Sequence, residues 1–131
     1  MSEENVDRMR QSQAAFERGD KEAWCAFVHP DVEVVPIGDW PEGHIQGRDA
    51  AWDFFVTVEA QWEPGTYVFD EVSDGGDRIA ARMRRHLRGK SSGVEVEYDY
   101  WVVFTFRDGM FARAEWFDDR QEALEAAGLT E

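Results

Sequence analysis

Three side chains carry most of the chemistry that this sequence offers: Arg85, Tyr98 and Asp118. A carboxyl can give or take a proton once burial moves its pKa toward working pH. A guanidinium can orient that carboxyl or hold an oxyanion, and a phenol can donate a hydrogen bond to a bound molecule. Other reagents are sparse. The single cysteine, Cys25, lies in the apolar run Ala23-Trp24-Cys25-Ala26-Phe27, where a buried, inert thiol is the ordinary reading. His29, His44 and His86 stand far apart without metal-site spacing, and the chain has no CxxC, phosphate-binding glycine loop or GxSxG. No metal and no cofactor is expected.

Strand alternation is what brings the three together. Over Val94–Arg107 the even positions are Val94, Val96, Tyr98, Tyr100, Val102, Phe104 and Phe106, while Glu95, Glu97 and Asp99 begin the odd set. Period-two patterning assigns the even set to a core face. Over Arg78–Arg88, Ile79, Ala81, Met83 and Leu87 share a face, which puts Arg85 on it. Folding the hairpin at Gly89–Gly93 so that Leu87 meets Val94 pairs Arg82 with Asp99, Arg84 with Glu97 and His86 with Glu95. Folding the next turn so that Phe106 meets Met110 pairs Tyr100 with Trp116 and Tyr98 with Asp118. Both registers leave Arg85, Tyr98 and Asp118 as neighbours on the inner face.

Helices must close that face. Ser2, Glu3 and Glu4 read as a helix start, Val6, Met9, Gln13 and Phe16 as its apolar stripe, and Gly19 as its stop. Asp20 caps a second, short helix ending before Pro30, and Val32–Val35 reads as a brief strand. Asp49 is expected to cap a third helix running through Trp62, with Trp52, Phe55, Val58 and Trp62 inward. Four strands are expected over Thr66–Ser73, Arg78–Arg88, Val94–Arg107 and Met110–Asp118, and Asp119 caps a last helical turn ending at Gly128.

The arithmetic excludes other classes. The chain has 131 residues, and residues 1–131 read as one domain. With 43% hydrophobic residues it can build a core. Lys and Arg number 14 against 28 Asp and Glu, a net charge of −14. That surface repels phosphate backbones and anionic lipid, so neither nucleic acid nor membrane is an expected partner. There is no signal peptide pattern and no apolar run of membrane-spanning length, so a cytoplasmic location is expected.

Several phrases are diagnostic together: Phe16-Glu17-Arg18-Gly19-Asp20, His29-Pro30-Asp31-Val32-Glu33, Gly47-Arg48-Asp49, Phe104-Thr105-Phe106-Arg107-Asp108-Gly109 and Trp116-Phe117-Asp118-Asp119. In this order the chain resembles, over nearly its whole length, the SnoaL-like branch of the nuclear transport factor 2-like superfamily. The resemblance implies an α+β cone in which three N-terminal helices pack in a curved, mainly antiparallel sheet, leaving an apolar pocket open at one end. Ketosteroid isomerase, scytalone dehydratase, limonene epoxide hydrolase and polyketide cyclases share that fold, so the fold does not choose the reaction. The isomerase's oxyanion-holding Tyr falls on Ser12, its Asp base on Val35 before Pro36, and its second donor on Val102, so its mechanism is lost here. Scytalone dehydratase's paired pocket histidines are not matched, since His44 alone lies near the mouth and His86 points outward. The epoxide hydrolase and the cyclases use an Asp near the last strand, which matches Asp118, or Asp119 if the strand slips.

Two functions stay open on these grounds. One is cofactor-independent acid/base chemistry (hydration, dehydration, epoxide opening or cyclisation) on an apolar, polyketide- or terpenoid-like molecule, with Asp118 as acid/base and Arg85 orienting it. The other is non-catalytic ligand binding or assembly, with Arg85 and Asp118 paired structurally. In either case Tyr98, Tyr100, Trp116, Trp24, Phe27 and Trp52 are expected as pocket wall, and Trp40 and His44 as loop residues near its mouth. Trp101, Val103, Phe111 and Phe117 share outward parity and form a patch expected to bury itself in a homodimer, the alternative being a monomer in which the Thr66–Ser73 strand or the C-terminal segment covers it.

Overall fold

A computed structural model of the chain describes residues 2–36, 44–63 and 66–129. Two helices lead, α1 (Ser2–Glu17) and α2 (Lys21–Phe27), followed by strands β1 (Val28–Val35) and β2 (Ile45–Gln46) and helix α3 (Arg48–Glu59). Four strands come next, β3 (Thr66–Asp74), β4 (Arg78–Arg88), β5 (Glu95–Arg107) and β6 (Met110–Phe117), and α4 (Arg120–Ala126) closes the order. The strands make one sheet in the order β2-β1-β6-β5-β4-β3, antiparallel throughout except where β1 runs parallel to β6. This is the α+β cone fold, a curved, mainly antiparallel sheet with helices against it.

Local chemistry explains most boundaries. The Asp20 carboxylate accepts from the Ala23 N–H at 3.1 Å to start α2, and Asp119 accepts from the Gln121 N–H at 3.3 Å to start α4. Helix α3 departs from expectation at both ends. It starts after Gly47 without a side-chain cap, and Asp49 lies in its first turn, where a carboxylate suits the helix dipole. It stops at Glu59 rather than Trp62 because the sheet claims the next backbone groups. Trp62 bridges Gly89, Glu63 N donates to Arg88 O at 2.7 Å, and Lys90 N donates to Gln61 O at 3.1 Å. Strand β1 is longer than expected and runs through Pro30, which falls where its register with β6 breaks between Val28 and Glu33, so no ladder bond is lost there.

The strand faces match the alternation, while the registers do not. Leu87 pairs with Val96 rather than Val94, a slip of two residues that keeps every side chain on its face. Arg82 stands directly opposite Trp101, yet its guanidinium reaches diagonally to Asp99, and His86 likewise reaches Glu95 at 2.9 Å. Between β5 and β6 the turn is the two-residue Asp108-Gly109, both at positive φ (56° and 76°), as a tight hairpin requires. A bulge then follows, with Phe106 opposite Phe111 and Thr105 opposite Arg113, so Ala112 is the extra residue. The bulge turns Phe111 to the inner face, contrary to the outward parity expected of it, and its ring packs against Phe104 at 5.2 Å.

Two cores sandwich the sheet. The inner one joins Met9 and Ala15 of α1, Trp24 of α2 and Ala51 of α3 to Val32, Val34, Ile79, Val102 and Phe104 of the strands. The outer one joins Ala80, Trp101 and Val103 of the sheet to Ala123, Leu124 and Ala127, with Phe117 packed against them. This corrects the expected dimer surface: Trp101 and Val103 are only 5% and 4% exposed within one chain, because α4 lies over them. Arg120 fastens that helix, stacking over Trp101 at 5.8 Å and donating to Glu71 at 2.9 and 3.1 Å. No helix among the described residues is long and apolar enough to cross a membrane.

Leu124→Ala should therefore cost about 2–4 kcal/mol in urea unfolding, as deletion of a buried leucine does, and the amides of α4 should lose exchange protection before those of β5. An unchanged midpoint would mean that α4 does not hold the outer face.

Candidate functional site

Inside the cone, α1 to α3 and the concave face of the sheet leave a cavity of about 470 Å³, a size suited to a small molecule. Its wall is rich in aromatic rings. Phe16 and Trp24 come from the first two helices, Phe55 from α3, and Tyr100, Phe104 and Trp116 from the sheet. These rings meet edge to face or tilted: Trp24 to Phe55 at 6.4 Å and Phe55 to Trp116 at 5.8 Å.

One ion pair crosses this apolar wall. Arg85, on the inner face of β4 by alternation, is 7% exposed, and a buried guanidinium needs a carboxylate. It finds Glu59, donating from Nη1 to Oε2 at 2.8 Å and from Nη2 to Oε1 at 2.5 Å. Glu59 is the last residue of α3, which has no basic residue in its last turn. A carboxylate at a helix C-terminus is disfavoured by the dipole, and Arg85 supplies the missing positive charge. Tyr100 stands nearby on β5, donating from its hydroxyl to Met83 Sδ at 3.0 Å. Burial raises its pKa above the usual tyrosine value, with the Arg85 charge pulling the other way. Ser12 also lines the cavity, but its hydroxyl donates to Met9 O at 2.8 Å within its own helix.

The sequence-derived candidates divide. Arg85, Tyr98, Tyr100, Asp118, Trp116 and Trp24 all line the cavity. Tyr98 is 47% exposed, with Trp62 edge-on at 6.2 Å. Asp118 is exposed, and no hydrogen bond or ion pair to another described residue engages it. Arg85 is not its orienting partner: Nη1 and Nη2 of the guanidinium both donate to Glu59. Phe27 is half-buried at the end of α2 and is not part of the wall, nor is Trp52, whose ring packs behind it against Phe16 at 5.3 Å and Trp24 at 5.2 Å. His44 is exposed and held by Glu33 at 2.6 Å, away from the cavity. Trp40 lies outside the described residues.

Glu59 was the residue missed. The stripe Trp52, Phe55, Val58 and Trp62 runs through it, since 52, 55, 59 and 62 fall on one helical face. A carboxylate on a buried stripe, facing a strand whose inner set contains one arginine, was a readable signal. Among the described residues no cluster of His, Cys, Asp and Glu could hold a metal ion.

The sequence profile of the SnoaL-like domain matches residues 9–114. TerC, co-crystallised with polyporic acid, superposes with a TM-score of 0.76 at 24% identity, over 95% of this chain and 97% of that one. An NTF2-like protein from Burkholderia xenovorans gives 0.76 at 24% identity, over 97% of each chain. A Mycobacterium tuberculosis protein in complex with estradiol-17β-hemisuccinate gives 0.73 at 21% identity, over 89% of this chain and 95% of that one. At such identities these likenesses bear on the fold. No curated protein matches the chain significantly.

Two measurements check the polar part of the wall. Glu59→Leu takes the carboxylate away from a buried guanidinium and should cost about 3 kcal/mol in urea unfolding, while adding Arg85→Leu should restore most of it; equal losses in the single and double variants would deny the pair this role. Tyr100 is favoured neutral in the folded chain. Stability held below the pH at which unfolded tyrosines ionise, about 10, should therefore fall as pH rises past it. Tyr100→Phe should flatten that decline between about pH 9 and 11.

Proposed function

The chain belongs to the SnoaL-like family, and from that footing we propose that it binds a small, mainly apolar, ring-bearing molecule inside the cone. The observation that carries this reading is the aromatic cavity of about 470 Å³ with a single ion pair set into its wall. Flat aromatic walls favour a ligand with faces to stack on, and a few placed polar groups fix its orientation. TerC co-crystallised with polyporic acid and the M. tuberculosis protein in complex with estradiol-17β-hemisuccinate support it as fold relatives holding small molecules. Polyketide- and terpenoid-like molecules are the natural candidates for such a wall.

A second reading makes the domain a cofactor-independent enzyme, and the position of Asp118 favours it. Its carboxyl belongs to the cavity wall without a partner among the described residues, so it can exchange a proton with a ligand oxygen or a water. Hydration, dehydration, epoxide opening and cyclisation are the reactions such a group serves. Orientation then comes from the Arg85–Glu59 pair and Tyr100 acting on the ligand, with Asp118 facing it from the end of β6.

A thermal-shift screen of small lipophilic ring compounds tests the binding reading. A ligand at 100 times its dissociation constant should add about 2.7 kcal/mol of stability, and Phe55→Ala should weaken it about tenfold by removing stacking area; failure of every compound to shift the transition would count against the proposal. Once a substrate is in hand, Asp118→Asn should lower turnover by about 10²-fold or more, and full activity would remove the acid/base role from that residue.

A further inference from the structure

The cavity wall has a charge pattern as well as a shape. Among its described residues Arg85 is the one cation, set against the carboxylates Glu59 and Asp118. A buried guanidinium in an aromatic pocket would by itself be a receptor for a carboxylate, since its planar fork fits two oxygens at once. Glu59 already occupies that fork with both oxygens. An incoming carboxylate would have to share that one positive charge with Glu59 or displace it, and a displaced Glu59 would stand without a cation at the negative end of α3. An uncharged hydroxyl or carbonyl demands no such exchange. The chain's net charge of −14 repels anions further.

Resting on the reading that the cone binds a ring-bearing molecule, we propose that Glu59 sets the charge class of the ligand: by neutralising Arg85 it makes the cavity accept uncharged molecules and refuse carboxylates. Glu59 then determines specificity in addition to holding α3 to the sheet.

Isothermal titration calorimetry at neutral pH, with naphthol and naphthoate as matched probes, tests this. The native chain should bind naphthol at least tenfold more tightly than naphthoate. In Glu59→Gln the guanidinium loses the Glu59 charge, and naphthoate should gain at least tenfold over the native chain. Equal affinities for the native chain, or no gain in the variant, would overturn the inference while leaving the cavity a binding site. Binding of neither probe by either protein would count against the binding reading itself and take this inference with it. Arg85→Gln gives an independent arm should Glu59→Gln not fold. It leaves Glu59 unmatched, so the cation naphthylmethylamine should gain at least tenfold, and the absence of that gain would overturn the assignment of Glu59.

Discussion

The cone depends on one constraint: a guanidinium 7% exposed must be matched in charge and in geometry. Arg85 stands on β4, one strand in from the β3 edge of the curved sheet, and Glu59 ends α3, so satisfying the one fixes the position of the other. Desolvating the two charges is costly, and their attraction offsets that cost only when the geometry is bidentate and the groups are held. The requirement therefore propagates outward. Helix α3 must end at a set height over the sheet, and the backbone after it is tied down through Trp62 and Glu63 to the β4 end of the hairpin. The cavity between α3 and the sheet is the space that this span leaves.

The other face of the sheet answers a different need. Trp101, Val103 and Phe117 project away from the cavity, and an apolar strip of that size cannot be left to water at no cost. Here α4 lies over it within the same chain, with small residues, Ala123 and Ala127, letting the helix approach and Leu124 filling the gap. Arg120 adds a stacked cation over Trp101 and a link to Glu71 on β3. Beyond the apolar strip, the same face turns polar through Arg82 with Asp99 and His86 with Glu95. Such exposed pairs are worth little each in stability, but they keep the edge of the sheet soluble and in register.

What was legible in the sequence was which face each strand residue takes. A period of two survives a register slip of two, so Arg85 and Tyr98 share a face whether Leu87 meets Val94 or Val96. Exact pairing was not legible, because the charge ladder of β4 and β5 permits both registers and twist lets Arg82 reach Asp99 across the diagonal. An odd slip is the damaging kind. The single extra residue at Ala112 reverses Phe111 from surface to core, and nothing in Met110-Phe111-Ala112-Arg113 announces it. Whether a second copy or the C-terminal segment covers Trp101 stayed open for another reason. Helix α4 has seven residues, too short for an apolar stripe to declare its target. The pairing of Arg85 with Glu59 spans α3 and β4, and strand alternation alone could suggest only a partner on a neighbouring strand.

Why the cavity keeps its shape follows from the layer behind its wall. Large aromatic side chains facing an open space tend to swing inward unless something wedges them. Trp52 does this from the helix side, edge-on to both Phe16 and Trp24, while Phe54 packs against Phe55 at 5.6 Å. Trp116 meets Phe55 from the sheet, and Phe104 is held between Phe69 and Phe111. The bulge that buries Phe111 thus completes the bracing of the wall. Trp52 and Phe69, which do not face the space, fix Phe16, Trp24 and Phe104, which do, so that part of the wall is organised before anything enters it, and little ordering cost remains there for a ligand to meet. In this sense Trp52 belongs to the site although it never touches the cavity: it sets the positions of the rings that do.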